Sequence, residues 1–290
     1  MGNLPDAVKA ALTDPHAPLW LPDVTAALVE MGQQTLHLQT GIPMSHYGTA
    51  RVLAGDARAP RHVVACLSFG PGADGVASDM LAEYLIGDVA RRYQEVGLVF
   101  YPPDMIASTP ILYCVQEAID ILTSLPTLHC TVAKLVKVCH LFKPEDDDYD
   151  VSYSDPQVPF SIFVSVSQRR RPHDALRVAE SIVHEAMHLQ LTLIEQATPL
   201  VHPSDERYFS PWKGAYRSPQ GVLHALYVFR VIAQYLERLL ELPGWSRSSI
   251  DHMRHRCREI VSQVHKIATF KSHPALTALG ARFVQRLLNE

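Results

Sequence analysis

The chain has 290 residues, enough for one large domain or two small ones with a proper buried core. Hydrophobic residues make up 47% and charged residues 19%, and 26 Lys and Arg against 30 Asp and Glu leave a formal net charge of −4. That balance excludes a nucleic-acid footprint, and the three-residue basic run Arg169–Arg171 reads as a solvated loop.

The first residues lack the basic start and apolar stretch of a signal peptide, and Asp6 stands where a myristoylation signal needs Ser or Thr. No uncharged apolar run approaches the ~20 residues that span a bilayer. The five cysteines, at 66, 114, 130, 139 and 257, are odd in number and irregular in spacing. Reduced thiols and a cytoplasmic location are expected.

In chain order, a helix is expected near Leu21–Gln39. Met80, Leu81, Tyr84, Leu85, Val89 and Ala90 recur at three and four, which predicts a helix over Ser78–Val96. Further helices are expected over Thr109–Ser124 and Thr131–Phe142. The acidic stretch Pro144–Asp150 is the best boundary, dividing a helix-rich region 1–150 from a region 151–290. It lacks the spacing and glycine of a calcium loop. Over Pro159–Ser167, Phe160, Ile162, Val164 and Val166 alternate with mainly small polar residues, the pattern of a strand with one buried face. Asp174 then caps a long helix over Ala175–Gln196. Ser218-Pro219 starts another, running to Leu242. Two more are expected near Ser249–Thr269 and Pro274–Leu288. The fold expected is α+β and helix-rich: a small sheet precedes a long metal-binding helix in a zincin-reminiscent helical C-terminal half.

That long helix carries His184-Glu185-Ala186-Met187-His188. Two His at i and i+4 share a face, so their imidazoles can converge on one ion at ~2.0–2.1 Å. Glu185, beside the first ligand, is the catalytic candidate; in a peptidase it would act as general base on metal-bound water. A third donor is needed. Leu191 and Ile194 stand where a metzincin has Gly and His, so that extension is absent. Glu195, two turns past His188, is expected at the surface. Glu206 and Glu237 are possible ligands, and His224, early on the next helix, is the better placed. His202, His252, His255, His265 and His273 read as surface or structural. The pairs His129-Cys130 and Cys139-His140 form a symmetric pattern without a CxxC, a weak signal for structural zinc.

Four blocks together carry a resemblance: His184–His188; Tyr208-Phe-Ser-Pro-Trp212-Lys213; Tyr216-Arg217-Ser-Pro219; and Gly221-Val-Leu-His224-Ala-Leu-Tyr227-Val-Phe229. Over about residues 160–240 the chain resembles the HExxH peptide-modification family, whose members accompany ribosomally made, post-translationally modified peptides. Lys213 replaces the family's usual Arg, and Ala225 its usual Gly. The resemblance implies a 2-oxoglutarate-dependent iron enzyme that hydroxylates a side-chain β-carbon in a peptide. His184, His188 and His224 would then form the iron-binding face. Arg217, or Lys213, would hold the far carboxylate of 2-oxoglutarate. Trp212 and Tyr227 would wall the pocket or simply pack. The implied partner is a ribosomal precursor peptide, with no nucleic acid and no membrane. Spacing alone points instead to a zinc metallopeptidase with Glu185 as base. A non-catalytic, metal-stabilised maturation partner is the third reading.

Overall fold

The computed structural model describes residues 3–71, 77–107, 109–145 and 151–289. Residues 146–150, most of the acidic run expected to divide the chain, lie outside the described residues. Contacts group the chain into two compact units, Val29–Leu189 and Met1–Leu28 with Gln190–Glu290. The fold is α+β, with many helices and a small mixed sheet. Among the described residues no helix is long and apolar enough to cross a membrane.

The helices are α1 (Leu4–Thr13), α2 (Pro22–Thr40), α3 (Thr49–Ala54), α4 (Gly87–Gln94), α5 (Pro103–Ile106), α6 (Thr109–Thr123), α7 (Pro126–Leu135), α8 (Asp174–Ala197), α9 (Pro219–Leu240), α10 (Arg247–His265) and α11 (Ala278–Asn289). The strands are β1 (Val63–Pro71), β2 (Ala77–Glu83), β3 (Val99–Phe100), β4 (Val138–Lys143), β5 (Ser152–Tyr153), β6 (Ser161–Ser165), β7 (Tyr208–Ser210) and β8 (Ala215–Arg217).

The unit Val29–Leu189 holds the sheet, in the order β1-β2-β4-β6-β5 with β3 beside β4. Strands β2, β4 and β6 run parallel, while β1 and β5 are antiparallel to their neighbours. All five residues of β6 are buried, so both faces are covered rather than the one expected. Its polar face is tolerated because its hydroxyls find partners. Ser161 Oγ bonds Thr49 Oγ1 at 2.7 Å and Tyr47 Oη at 2.9 Å, and Ser165 Oγ accepts from the Val151 backbone N–H at 2.9 Å.

The same network reaches β4. His140 is fully buried, with Nδ1 2.9 Å from the Glu83 carbonyl oxygen and Nε2 2.7 Å from Thr49 Oγ1. Both ring nitrogens are therefore used, which removes His140 as a ligand of a structural zinc. Burial lowers its pKa to about 4 and pushes the neighbouring Cys139 thiol up to about 12.

Two expected helices are corrected. Residues 78–96 form β2 and then α4, separated by residues 84–86, with Gly87 at φ 60° opening the helix. Met80 and Ala82 are buried two apart, so the apolar residues satisfy a period of two as well as 3.6, and pairing with β1 decides. The stretch 131–142 divides between α7 and β4. It is buried almost throughout, and a segment buried all round carries no period to read.

In the other unit, α9 begins as expected: the Ser218 hydroxyl accepts from the Gly221 N–H, and Pro219 follows the cap. Tyr227 of α9 donates to the Gln190 side-chain oxygen and contacts the Leu19 carbonyl at 3.1 Å, and Gln234 accepts from the Leu19 N–H at 2.8 Å. Gln190 in turn donates to the Trp20 carbonyl and Thr25. Arg286 of α11 donates to the carbonyls of Ala11 (2.8 Å) and Ala17, tying α11 to α1 and the segment after it. The N-terminus of α11 lies so close to the chain at Leu200 that a Cβ on Gly280 would fall 2.0 Å from the Leu200 carbonyl oxygen.

Candidate metal centre

The motif lies in the middle of α8, with no proline or glycine to interrupt its hydrogen-bond ladder. Ile182, Val183, Ala186 and Met187 are fully buried and anchor the helix, and His184 and His188 sit half-buried beside them. Their two Nε2 atoms stand 3.2 Å apart, with the rings nearly edge-on. Two nitrogens each 2.05 Å from one ion would be 3.2 Å apart at an N–metal–N angle of about 100°. That angle falls between octahedral and tetrahedral values, so the pair fits bidentate capture of a transition-metal ion.

Glu185 is 2% exposed, and its Oε1 accepts from Ser152 Oγ at 2.6 Å. Ser152 lies on the edge strand β5, so the sheet holds the carboxylate in place. The same oxygen is 3.9 Å from His184 Nε2. An acidic group is thus positioned beside the nitrogen that would bind the ion. Tyr153, next to Ser152, has its phenol pKa raised by burial and then by Asp155, with Glu185 adding to the effect.

His224 lies in the second turn of α9. Its Nε2 is 2.9 Å from Glu195 Oε2, and Gln220 Nε2 donates to that same oxygen at 2.9 Å. The His224 and Glu195 side chains are only 15% and 13% exposed. The surface role expected for Glu195 is therefore corrected. Seven residues is almost two full turns, so Glu195 returns to the face of His188 rather than turning away from it. Among the described residues no group of three or more His, Cys, Asp or Glu side chains is gathered as a ready metal site. The structure brings His184 and His188 together and pairs His224 with Glu195.

Lys213 and Arg217 lie on the β7–β8 hairpin, which pairs Tyr208 with Arg217 and Ser210 with Ala215. Both cations are exposed, and neither is in an ion pair among the described residues. Arg217 precedes the Ser218 cap directly, seven residues before His224. Trp212 stacks on Phe229 at 5.2 Å between ring centroids and 6° between planes, which assigns it packing within this unit. Tyr227 is wholly buried in the hydrogen bonds described above. His273 is structural: it faces Glu206 at 3.4 Å and lies against Tyr208 and Phe270.

Two contributors had no counterpart in the sequence reading, Ser152 and the Glu195–His224 pair. The partners lie 33 and 29 residues apart, and no local pattern joins them. No protein-family model matches the chain, and no curated protein shows significant similarity to it.

Proposed function

We propose that the chain is an iron(II)- and 2-oxoglutarate-dependent oxygenase that hydroxylates a side-chain β-carbon in a ribosomally made peptide. The observation that carries the reading is the 3.2 Å separation of the His184 and His188 Nε2 atoms. It is supported by the resemblance of residues 160–240 to the HExxH peptide-modification family and by the exposed cations of the β7–β8 hairpin. His184 and His188 would hold the ion, with His224 as third donor, a ligand set that leaves positions open for a keto acid and dioxygen. The iron supplies oxygen activation when bound. Arg217 binds the far carboxylate of 2-oxoglutarate through its planar fork, with Lys213 as the alternative cation. Glu185, held by Ser152, accepts hydrogen bonds beside His184 and orients what binds there.

The position of Glu185 Oε1, 3.9 Å from His184 Nε2, favours a second reading: a zinc metallopeptidase with Glu185 as general base. One comparison separates the two. Metal-free protein is given iron(II), ascorbate and 2-oxoglutarate, and succinate is measured with and without candidate precursor peptides. A peptide gain of one oxygen, with succinate formation abolished in His184→Ala, is expected. Glu185→Gln should keep 2-oxoglutarate turnover within about tenfold, whereas loss of a general base lowers cleavage about 10²–10⁴-fold. Zinc-dependent peptide cleavage without succinate formation would replace the oxygenase by the peptidase.

A further inference from the structure

A cavity of about 740 Å³ is lined by residues outside the HExxH motif. It lies between one face of α6 and the loop that leads into α8, all within the unit Val29–Leu189. Its α6 wall runs from Pro110 to Ile121, about 16 Å along the helix axis. Volume over length gives a cross-section of about 45 Å². One extended chain packed among neighbours occupies about 48 Å², from a strand spacing of about 4.8 Å and a layer spacing of about 10 Å. The cavity therefore has the calibre of a single extended peptide about five residues long.

The lining is acidic: Glu117, Asp120 and Asp174 stand against Arg170 and Arg171. Arg171 and Asp174 are buried against each other at 2.7 Å, so their charges cancel. Burial pushes the Cys114 thiol in the wall up to about 12, so it adds no charge. What remains is Arg170 against two carboxylates, and Arg170 shows what this wall attracts. Its guanidinium lies 5.7 Å from the centre of the Tyr113 ring, and its Nη2 is 2.9 and 3.1 Å from the two Glu117 carboxylate oxygens. The Arg170 side chain is itself 74% exposed, and an ion pair so open to solvent contributes little. An incoming cation can take its place and meet Asp120 as well, one turn further along the same face of α6.

We propose that this groove docks an extended peptide segment through an arginine or lysine side chain, which displaces Arg170 from Tyr113 and Glu117. The proposal goes beyond the oxygenase reading and does not depend on what His184 and His188 bind.

The test titrates the full-length chain, with a metal chelator present, and follows binding by ¹H–¹⁵N NMR. The probe is a blocked peptide with a central arginine and two alanines on each side. Its counterpart carries citrulline, which keeps the shape of arginine and removes the charge. The arginine peptide should bind at least about tenfold more tightly, the effect of a charge-assisted contact, and shift signals of α6 and residues 167–175. Glu117→Gln and Asp120→Asn should each weaken it about three- to tenfold. Arg170→Ala should instead tighten binding about three- to tenfold, because it removes the internal competitor. If Glu117→Gln fails to fold, Asp120→Asn and Arg170→Ala, both at exposed positions, decide. Binding of the two peptides within twofold of each other, or weaker binding by Arg170→Ala, overturns the proposal. Blocked arginine alone, binding as tightly as the peptide, would assign the groove to a small cation and overturn the peptide.

Discussion

Replacing His140 by Gln should make the stability difference between wild type and variant depend on pH, in a direction the structure dictates. His140 is fully buried, and its pKa is lowered from 6.5 to about 4. Below pH 6.5 the unfolded chain takes up a proton that the folded chain refuses. The stability His140 confers as a neutral group is therefore complete above pH 6.5 and lost as pH falls toward 4. The full effect is about 3 kcal/mol, of which about 2 kcal/mol falls between pH 7 and pH 5. Gln keeps donor and acceptor groups for Thr49 and the Glu83 carbonyl but does not titrate. Glu83 itself is raised by burial, an opposite dependence, but it is common to both proteins and cancels in the difference. Urea denaturation at pH 7, 6 and 5 provides the free energies. The gap between wild type and His140→Gln should narrow by about 2 kcal/mol from pH 7 to pH 5. A gap that stays constant would mean that His140 titrates normally in the folded state, and that the Thr49–His140–Glu83 arrangement is wrong.

Arg217→Ala should raise the KM for 2-oxoglutarate about 30–100-fold, the loss of a charge-assisted bidentate bond, while leaving iron affinity unchanged; Arg217→Lys should restore little of it. An unchanged KM would remove Arg217 as the carboxylate's partner. Ser152→Ala should destabilise the protein by about 2 kcal/mol at pH 7 by denying a buried carboxylate its hydroxyl donor, measured by chemical denaturation. Gly280→Ala should cost at least about 3 kcal/mol, because the added methyl meets backbone rather than a movable side chain, and a melting temperature within 2 °C of wild type would contradict that.

Local signals in the sequence succeeded where buried residues recur at helical spacing against more accessible ones and the start is marked. α2, α6 and α8 follow their expected spans within a residue or two at each end, and the Ser218-Pro219 cap opens α9. They failed where burial is nearly complete, as in β4, or where apolar spacing fits two periods, as in β2. The β7–β8 hairpin carries little sequence signal because its strands have three residues each, although Gly214 at φ 59° marks its turn. In the candidate centre, the i, i+4 spacing alone determines that His184 and His188 share a face. Two helical turns carry Glu195 along the axis of α8 but also return it to the same side of the helix, so separation along the sequence does not place it at the surface. Ser152 could not be found, because its bond to Glu185 depends on how β5 joins the sheet.

The bonds from Arg286 to Ala11 and Ala17 have a consequence measured in time. Residues 29–189 form one continuous stretch of chain, so their contacts can close as soon as they are made. The segment before them cannot complete its own unit until residue 286 exists. At roughly 5–20 residues per second, α1 waits on the order of 15–50 s for the arginine that ties it down. Through that interval Val8, Leu12 and Leu19, fully buried in the finished protein, must remain without their final neighbours. During synthesis this early segment carries apolar side chains that wait for their partners, and such exposure invites aggregation.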